Sequence, residues 1–314
     1  MIRIAFSLLL AFTLVACNPQ PDIDDATMLD GTQINDLSLY EPEKYLVSAA
    51  IPNPTEQQKN TPVLIAAHGY SASTFEWDEL REYADSKGTF LVSQVLLGGH
   101  GRDFADFKAA SWRDWQSSIR DEYQRLRAAG FKYISLAGSS TGAPLIVELF
   151  TQDFFNTHGA PDEVFLIDPI VVSGNKTLVL VGLLGPVLGY TTTDLDEGEK
   201  GKWYVYRPQE SLRQLMALIN LTRRDLEKGI TLTPGTRLKI YKSEIDLTAD
   251  PVSAVLLHKG LRTATGAKVD VEMIPSSLHV YTRLRGRDHY TPEDVDFQQG
   301  TFQEMSERIN LISE

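Results

Sequence analysis

The pattern of apolar and polar positions divides the chain into two unlike parts. Beyond about residue 44, short continuous apolar runs alternate with stretches of helical spacing. Pro62–Ala67, Phe90–Leu97, Tyr133–Ala137 and Val164–Val171 read as strands buried on both faces. Between them, Thr74–Lys87, Trp112–Ala129 and Ala143–Phe150 have helical spacing, the first two stopped by Gly88 and Gly130. In the longest of these, Trp115, Ile119, Tyr123 and Leu126 share one face. Tyr45–Ile51 has strand composition, and Asn53–Thr61 is a turn-rich connection. The alternation breaks over about 174–235, which holds a glycine-punctuated apolar run (Leu178–Tyr190), an acidic loop and a helix near Gln209–Glu227. It resumes with the strand Arg237–Lys242, the helix Val252–Leu261, the strand Val269–Ile274 and a terminal helix over roughly Phe302–Leu311. Such alternation predicts an α/β fold with a mostly parallel, doubly wound sheet; the interruption reads as a small cap inserted over the sheet's C-terminal edge.

The first 16 residues follow different rules. Arg3 precedes an apolar run, Ile4–Leu14, that is too short to span a bilayer, for which about 20 residues are needed. Its proportions are those of a secretory signal. Leu14-Val15-Ala16-Cys17 resembles the lipobox of bacterial lipoprotein precursors. That resemblance implies cleavage before Cys17, acylation of its sulfur and, usually, of its amine, and so membrane attachment through Cys17. An ordinary cleaved signal or an uncleaved anchor is the alternative. The expected location is the bacterial cell envelope; Asn18, where an aspartate is absent, favours the outer membrane in a Gram-negative host. Residues 17–43 are acidic and short of aromatics, as in a tether, so the folded domain is expected over 44–314.

Composition excludes more than it identifies. The formal net charge of −12 and the lack of any Lys/Arg cluster argue against a nucleic-acid partner. Cys17 is the sole cysteine, so no internal disulfide can form. There is no HExxH, paired-cysteine or Walker-type pattern, so no metal or cofactor is expected.

The segment richest in chemistry is Gly138-Ser139-Ser140-Thr141-Gly142, a G-x-S-x-G placed between a buried strand and a helix. That context turns a common pattern into a nucleophile elbow: Ser140 stands above the sheet, and the Thr141 N–H can donate to an oxyanion. Without that chemistry it would be a glycine-rich turn. Here the chain resembles the α/β-hydrolase superfamily, more narrowly its carboxylesterases, monoacylglycerol lipases and serine-aminopeptidase-like members. His68-Gly69-Tyr70 after the first buried strand, Gly98-Gly99-His100-Gly101 after the second and Trp112-Arg113-Asp114-Trp115 opening a helix extend the likeness, from about Pro62 to the C-terminus. The resemblance implies that the Tyr70 N–H is the second oxyanion donor, that His68 shapes the loop and that the glycine turn lines the pocket wall.

A serine needs a base held in place by a third group. The fold's order of serine, acid, histidine places Asp246 after the seventh-strand position, with Glu244 as the lesser alternative and Asp250 as a helix cap. His279, in Ser276-Ser277-Leu278-His279-Val280-Tyr281-Thr282, is one short loop past the last strand; His289, in a charged stretch, is the weaker choice. The expected activity is hydrolysis of a small-molecule carboxylic ester through an acyl-enzyme. The same triad would serve an amidase, peptidase or acyltransferase, and a non-catalytic binding lipoprotein could retain the fold. Leu178–Tyr190 reads as a buried cap helix or as a lid facing a hydrophobic acyl chain, the buried option being preferred. Oligomeric state is not legible.

Overall fold

The computed structural model describes residues 37–174 and 189–312. The signal and Cys17, and the run Leu178–Tyr190 up to residue 188, lie outside the described residues. Among those described, no helix is long and apolar enough to cross a membrane.

Six strands form one all-parallel sheet: β1 (Val63–Ala67), β2 (Leu91–Val95), β3 (Ile134–Ser139), β4 (Glu163–Ile167), β5 (Arg237–Ser243) and β6 (Asp270–Ile274), in the spatial order β6-β5-β4-β3-β1-β2. The chain builds outward from β1 to the β2 edge, returns to place β3 on the other side of β1, and then continues outward. That reversal leaves a crevice at the C-terminal ends of β1 and β3, where open parallel sheets bind ligands.

Both faces are covered, which is why β1 and β3 are apolar or small throughout. One face carries α3 (Trp112–Ala129), α4 (Gly142–Thr151), α6 (Gln209–Lys228) and α7 (Val252–Gly260). These bury Trp115, Ile119, Leu145, Leu218 and Leu257 with Ile65 and Leu136. The other face carries α1 (Asp78–Lys87) and α8 (Pro292–Asn310), which close on Leu64, Phe165 and Tyr241 with Leu80, Phe302 and Met305. Between them in the chain are α2 (Phe104–Ala109) and α5 (Phe154–His158). The expected α/β architecture is what the structure has, and within the cap region it holds an antiparallel hairpin, Tyr190–Thr192 with Tyr206–Pro208, followed by α6.

Several local expectations are corrected. Tyr45–Ile51 is not a strand: the chain forms short helices over Pro42–Tyr45 and Val47–Ala50. Seven residues carry too little periodicity to separate the two states, and a tertiary contact decides. Buried Glu122 on α3 accepts the Ser48 N–H (3.1 Å) and the Ser93 hydroxyl (2.6 Å), and Ser93 Oγ accepts the Val47 N–H (3.1 Å). Packing also starts before residue 44, since Leu39 is buried. β4 stops at Ile167, not Val171, because Asp168 turns the backbone to φ +44° and Pro169 has no N–H for the ladder. The last helix begins at Pro292, ten residues earlier than expected, on a capping box in which Thr291 and Asp294 satisfy each other's backbone N–H groups.

Candidate active site

Three of the loops at the crevice converge on Ser140. Gly138 and Gly142 are dictated by close approach: a Cβ on Gly138 would lie 2.6 Å from the Gly142 carbonyl carbon, and one on Gly142 would lie 2.3 Å from the Ala67 carbonyl oxygen. Between them Ser140 adopts φ +47°, a left-handed conformation costly for a residue with a Cβ. It is held there by its own N–H to the Ile167 carbonyl (2.9 Å) and by its carbonyl accepting the Ile170 N–H (3.2 Å).

Ser140 Oγ is 2.9 Å from His279 Nε2, and His279 Nδ1 is 2.7 Å from Asp246 Oδ2. Because a carboxylate only accepts, Nδ1 carries the proton and Nε2 is left to accept from the serine. Asp246 is fixed by Thr248 and Ala249 N–H groups on Oδ1 (2.8 and 3.0 Å), and the Lys242 ammonium reaches Oδ2 (2.5 Å). Burial opposes its charge, but His279 and Lys242 prevail and hold its pKa at about 2. Glu244 and His289, the lesser alternatives, are both exposed and take no part. Asp250 is not the helix cap expected of it: Pro251 holds that position, and Asp250, one residue earlier, accepts the Val252 N–H on Oδ1 (2.9 Å).

The oxyanion side is built as firmly. Tyr70 and Thr141 both face the cavity, and among the described residues neither backbone N–H has an acceptor. Glu76 Oε1 accepts the Gly69 N–H (2.8 Å) and the Ser139 hydroxyl, pinning the loop beside the serine turn. His68 Nε2 accepts the Leu97 N–H (3.1 Å), so its Nδ1 is the donor to the Gly69 carbonyl (2.8 Å). Burial lowers its pKa to about 4, keeping it neutral. The Gly98–Gly101 turn does not line the pocket wall as expected. His100 is fully buried behind Tyr70, packed between Phe107 and Trp115, and its Nε2 accepts the Ser71 N–H (3.2 Å). Of the five non-glycine residues described with positive φ, four flank the site: Ser71, Ser140, Asp168 and Val280.

Sequence reading missed the group behind the acid. Lys242, fully buried, also reaches Asp168 Oδ1 (3.0 Å), and Asp168 accepts the Ser243 N–H (2.7 Å) and hydroxyl (3.1 Å) and the Tyr281 N–H (3.3 Å). Asp168, Asp246 and His279 lie close enough together to suggest a metal site, yet an ammonium already sits between the two carboxylates and answers their charge. A signal was present: Leu238 and Ile240 are core residues, so the two-residue period of β5 puts Lys242 on a buried face.

Ser140 and His279 open into a cavity of about 410 Å³. Ile170, Leu195, Trp203, Leu212, Leu215 and Leu247 give it apolar walls, and Arg207, Arg283 and Arg287 charge one side. The arrangement can deprotonate a hydroxyl, attack a carbonyl and hold the resulting oxyanion.

No protein-family model matches the chain. Among curated proteins, the thermostable monoacylglycerol lipase of Bacillus sp. (strain H-257) is 24% identical over 231 residues, covering 71% of this chain and 85% of the relative. Among solved structures, one from the study of the metagenome-derived lipolytic enzymes LipS and LipT superposes with a TM-score of 0.63 at 17% identity, over 79% of this chain and 94% of its own. The monoglyceride lipase of Saccharomyces cerevisiae gives 0.62 at 12%, over 82% and 88%. The monoacylglycerol lipase of Paleococcus ferrophilus gives 0.56 at 13%, over 79% and 96%. With its all-parallel sheet, its strand order and a serine turn between β3 and α4, the chain has the α/β-hydrolase fold that these solved structures share.

Proposed function

We propose that this protein is a serine hydrolase that cleaves carboxylic esters through an acyl-enzyme on Ser140. The observation that carries the reading is the unbroken path from Asp246 Oδ2 through His279 to Ser140 Oγ, each link a hydrogen bond, ending on a serine held at positive φ. His279 Nε2 takes the Ser140 proton as Oγ attacks the acyl carbon. The Tyr70 and Thr141 N–H groups receive the oxyanion, a contribution of about 3 kcal/mol per donor. His279 then protonates the leaving alcohol, and on the return step it deprotonates the water that releases the acid. Asp246, ionised far below neutrality, keeps the imidazole in the required tautomer and stabilises the imidazolium. Relatives named as monoacylglycerol lipases support an ester over an amide. The lipobox-like LVAC supports lipidation at Cys17 and placement in the cell envelope, at the outer membrane in a Gram-negative host, next to acyl esters.

The test is fluorophosphonate labelling of the protein, with Ser140→Ala and His279→Ala beside it, and turnover of nitrophenyl esters of graded chain length. Labelling of the wild type alone, with ester turnover lost in both variants, is the expected result. A folded wild type that neither labels nor turns over an ester would overturn the reading and leave a binding lipoprotein. Amide turnover exceeding ester turnover would move it to the amidases.

A further inference from the structure

We propose that the cavity over Ser140 takes an ester bearing a second, anionic group, a carboxylate or a phosphate, and that Arg207, supported by Arg283 and Arg287, binds that group. This rests on the ester-hydrolase reading and names its substrate class.

Among the described residues, three guanidinium groups line the cavity that holds Ser140 and His279, and one carboxylate pairs with them. Arg283 is that partner's owner: its Nη2 is 2.5 Å from Glu199, its plane lies over Trp203 at 4.6 Å, and its Nε is buried without an acceptor. Among the described residues Arg287 donates only to backbone carbonyls, from Nε to Arg283 (2.7 Å) and from Nη2 to His279 and Val280. Burial, reinforced by the neighbouring Arg283, pushes its pKa down to about 10. Arg207 stands furthest from compensation. On the cap hairpin, 5.8 Å from the centre of the Tyr70 ring, its guanidinium forms no hydrogen bond or ion pair with any described residue, and its Nε is buried without a partner. Burial weakens its hold on its proton, with Glu199 and Tyr70 only partly opposing.

Among the described residues no other acid at the cavity pairs with these guanidinium groups, and Glu76 and Asp196 act on Arg287 only from longer range. Glu76 gives Oε1 to the Gly69 N–H and the Ser139 hydroxyl, and Asp194 is exposed at the rim. The sequence from 175 to 188 contains no Asp or Glu. A desolvated guanidinium with unused N–H donors is costly, and a planar fork of donors is matched by the paired oxygens of a carboxylate or phosphate. A neutral ester would leave Arg207 unanswered. The cavity is near the small end of the range for ligand sites, roughly 300–1,000 Å³, so the anionic group and the scissile carbonyl belong to one compact molecule.

Two matched pairs of esters test this. One sets the nitrophenyl monoester of glutaric acid against the isosteric ester with isopropyl in place of the free carboxylate. The other sets butanoylglycerol phosphate against butanoylglycerol. The readout is the charged-to-neutral ratio of kcat/KM, in the wild type, Arg207→Lys and Arg207→Met. A charge-assisted contact predicts a wild-type ratio of about tenfold or more in at least one pair, largely in KM. The pair that shows it distinguishes carboxylate from phosphate. Arg207→Met should lower that ratio about tenfold and Arg207→Lys should keep part of it. A wild-type ratio at or below one in both pairs, or a ratio unmoved in Arg207→Met, overturns the inference while leaving ester hydrolysis standing. Failure to hydrolyse any of the four esters removes the ester reading and this inference with it.

Discussion

Replacing Lys242 by Met isolates the electrostatics beneath the site. The ammonium is fully buried and joins Asp168 Oδ1 at 3.0 Å to Asp246 Oδ2 at 2.5 Å. Met has a similar length and no charge, so the variant leaves two buried carboxylates facing each other. Removing one partner of a buried pair costs about 3–5 kcal/mol. The lower end applies, because Asp246 keeps the Thr248 and Ala249 N–H groups and Asp168 keeps Ser243 and Tyr281. About 3 kcal/mol is roughly a hundredfold loss in the folded-to-unfolded ratio and a drop in Tm of roughly 6–12 °C for a domain of this size. Urea-unfolding midpoints at pH 7 measure it. The double variant Asp168→Asn/Lys242→Met removes one of the stranded charges and should recover at least half of the loss. A cost below about 1 kcal/mol in the single variant, or no recovery in the double, would refute the argument that this ammonium is needed to offset the carboxylates.

His68 has its pKa lowered to about 4 from 6.5, so the unfolded chain takes up a proton first as pH falls. Its contribution is fully present above about pH 6.5 and is lost by about pH 4, to the extent of about 3 kcal/mol; His68→Gln should flatten the unfolding free energy across that window, and an unchanged slope would contradict the assignment. Asp246→Asn should preserve the fold yet lower kcat by about three to four orders of magnitude, since an amide fixes the wrong imidazole tautomer. A loss below about tenfold would remove Asp246 from the path.

What the sequence made legible was set by short-range rules. Strands β1–β3 and helix α3 follow from unbroken apolar runs, helical spacing and a terminal glycine, each local in origin. Ser140, Asp246 and His279 were found because each follows a strand whose end the chain announces, and the structure brings the three together. The remainder depends on contacts across long sequence separations. Tyr45–Ile51 takes its helical turns beside Glu122, more than 70 residues away. Lys242 meets Asp168 across 74 residues, and Arg207 meets Tyr70 across a still longer gap, neither of which a window of sequence spans. The late start given to α8 was a different failure, because Thr291-Pro292-Glu293-Asp294 is a local helix-start signal that was passed over.

Among the described residues two hydrogen bonds join the cap to the oxyanion loop: the Tyr70 hydroxyl meets Ser211 on α6 at 2.5 Å, and the Tyr204 N–H donates to the Ser71 carbonyl at 2.9 Å. In evolutionary terms this denies the cap the freedom of an interchangeable part. A foreign insertion grafted between β4 and β5 would inherit neither strut, leaving the loop to its Glu76 and His68 contacts at Gly69. A replacement insertion that is to hold this loop as the present one does needs its own anchors to Tyr70 and Ser71.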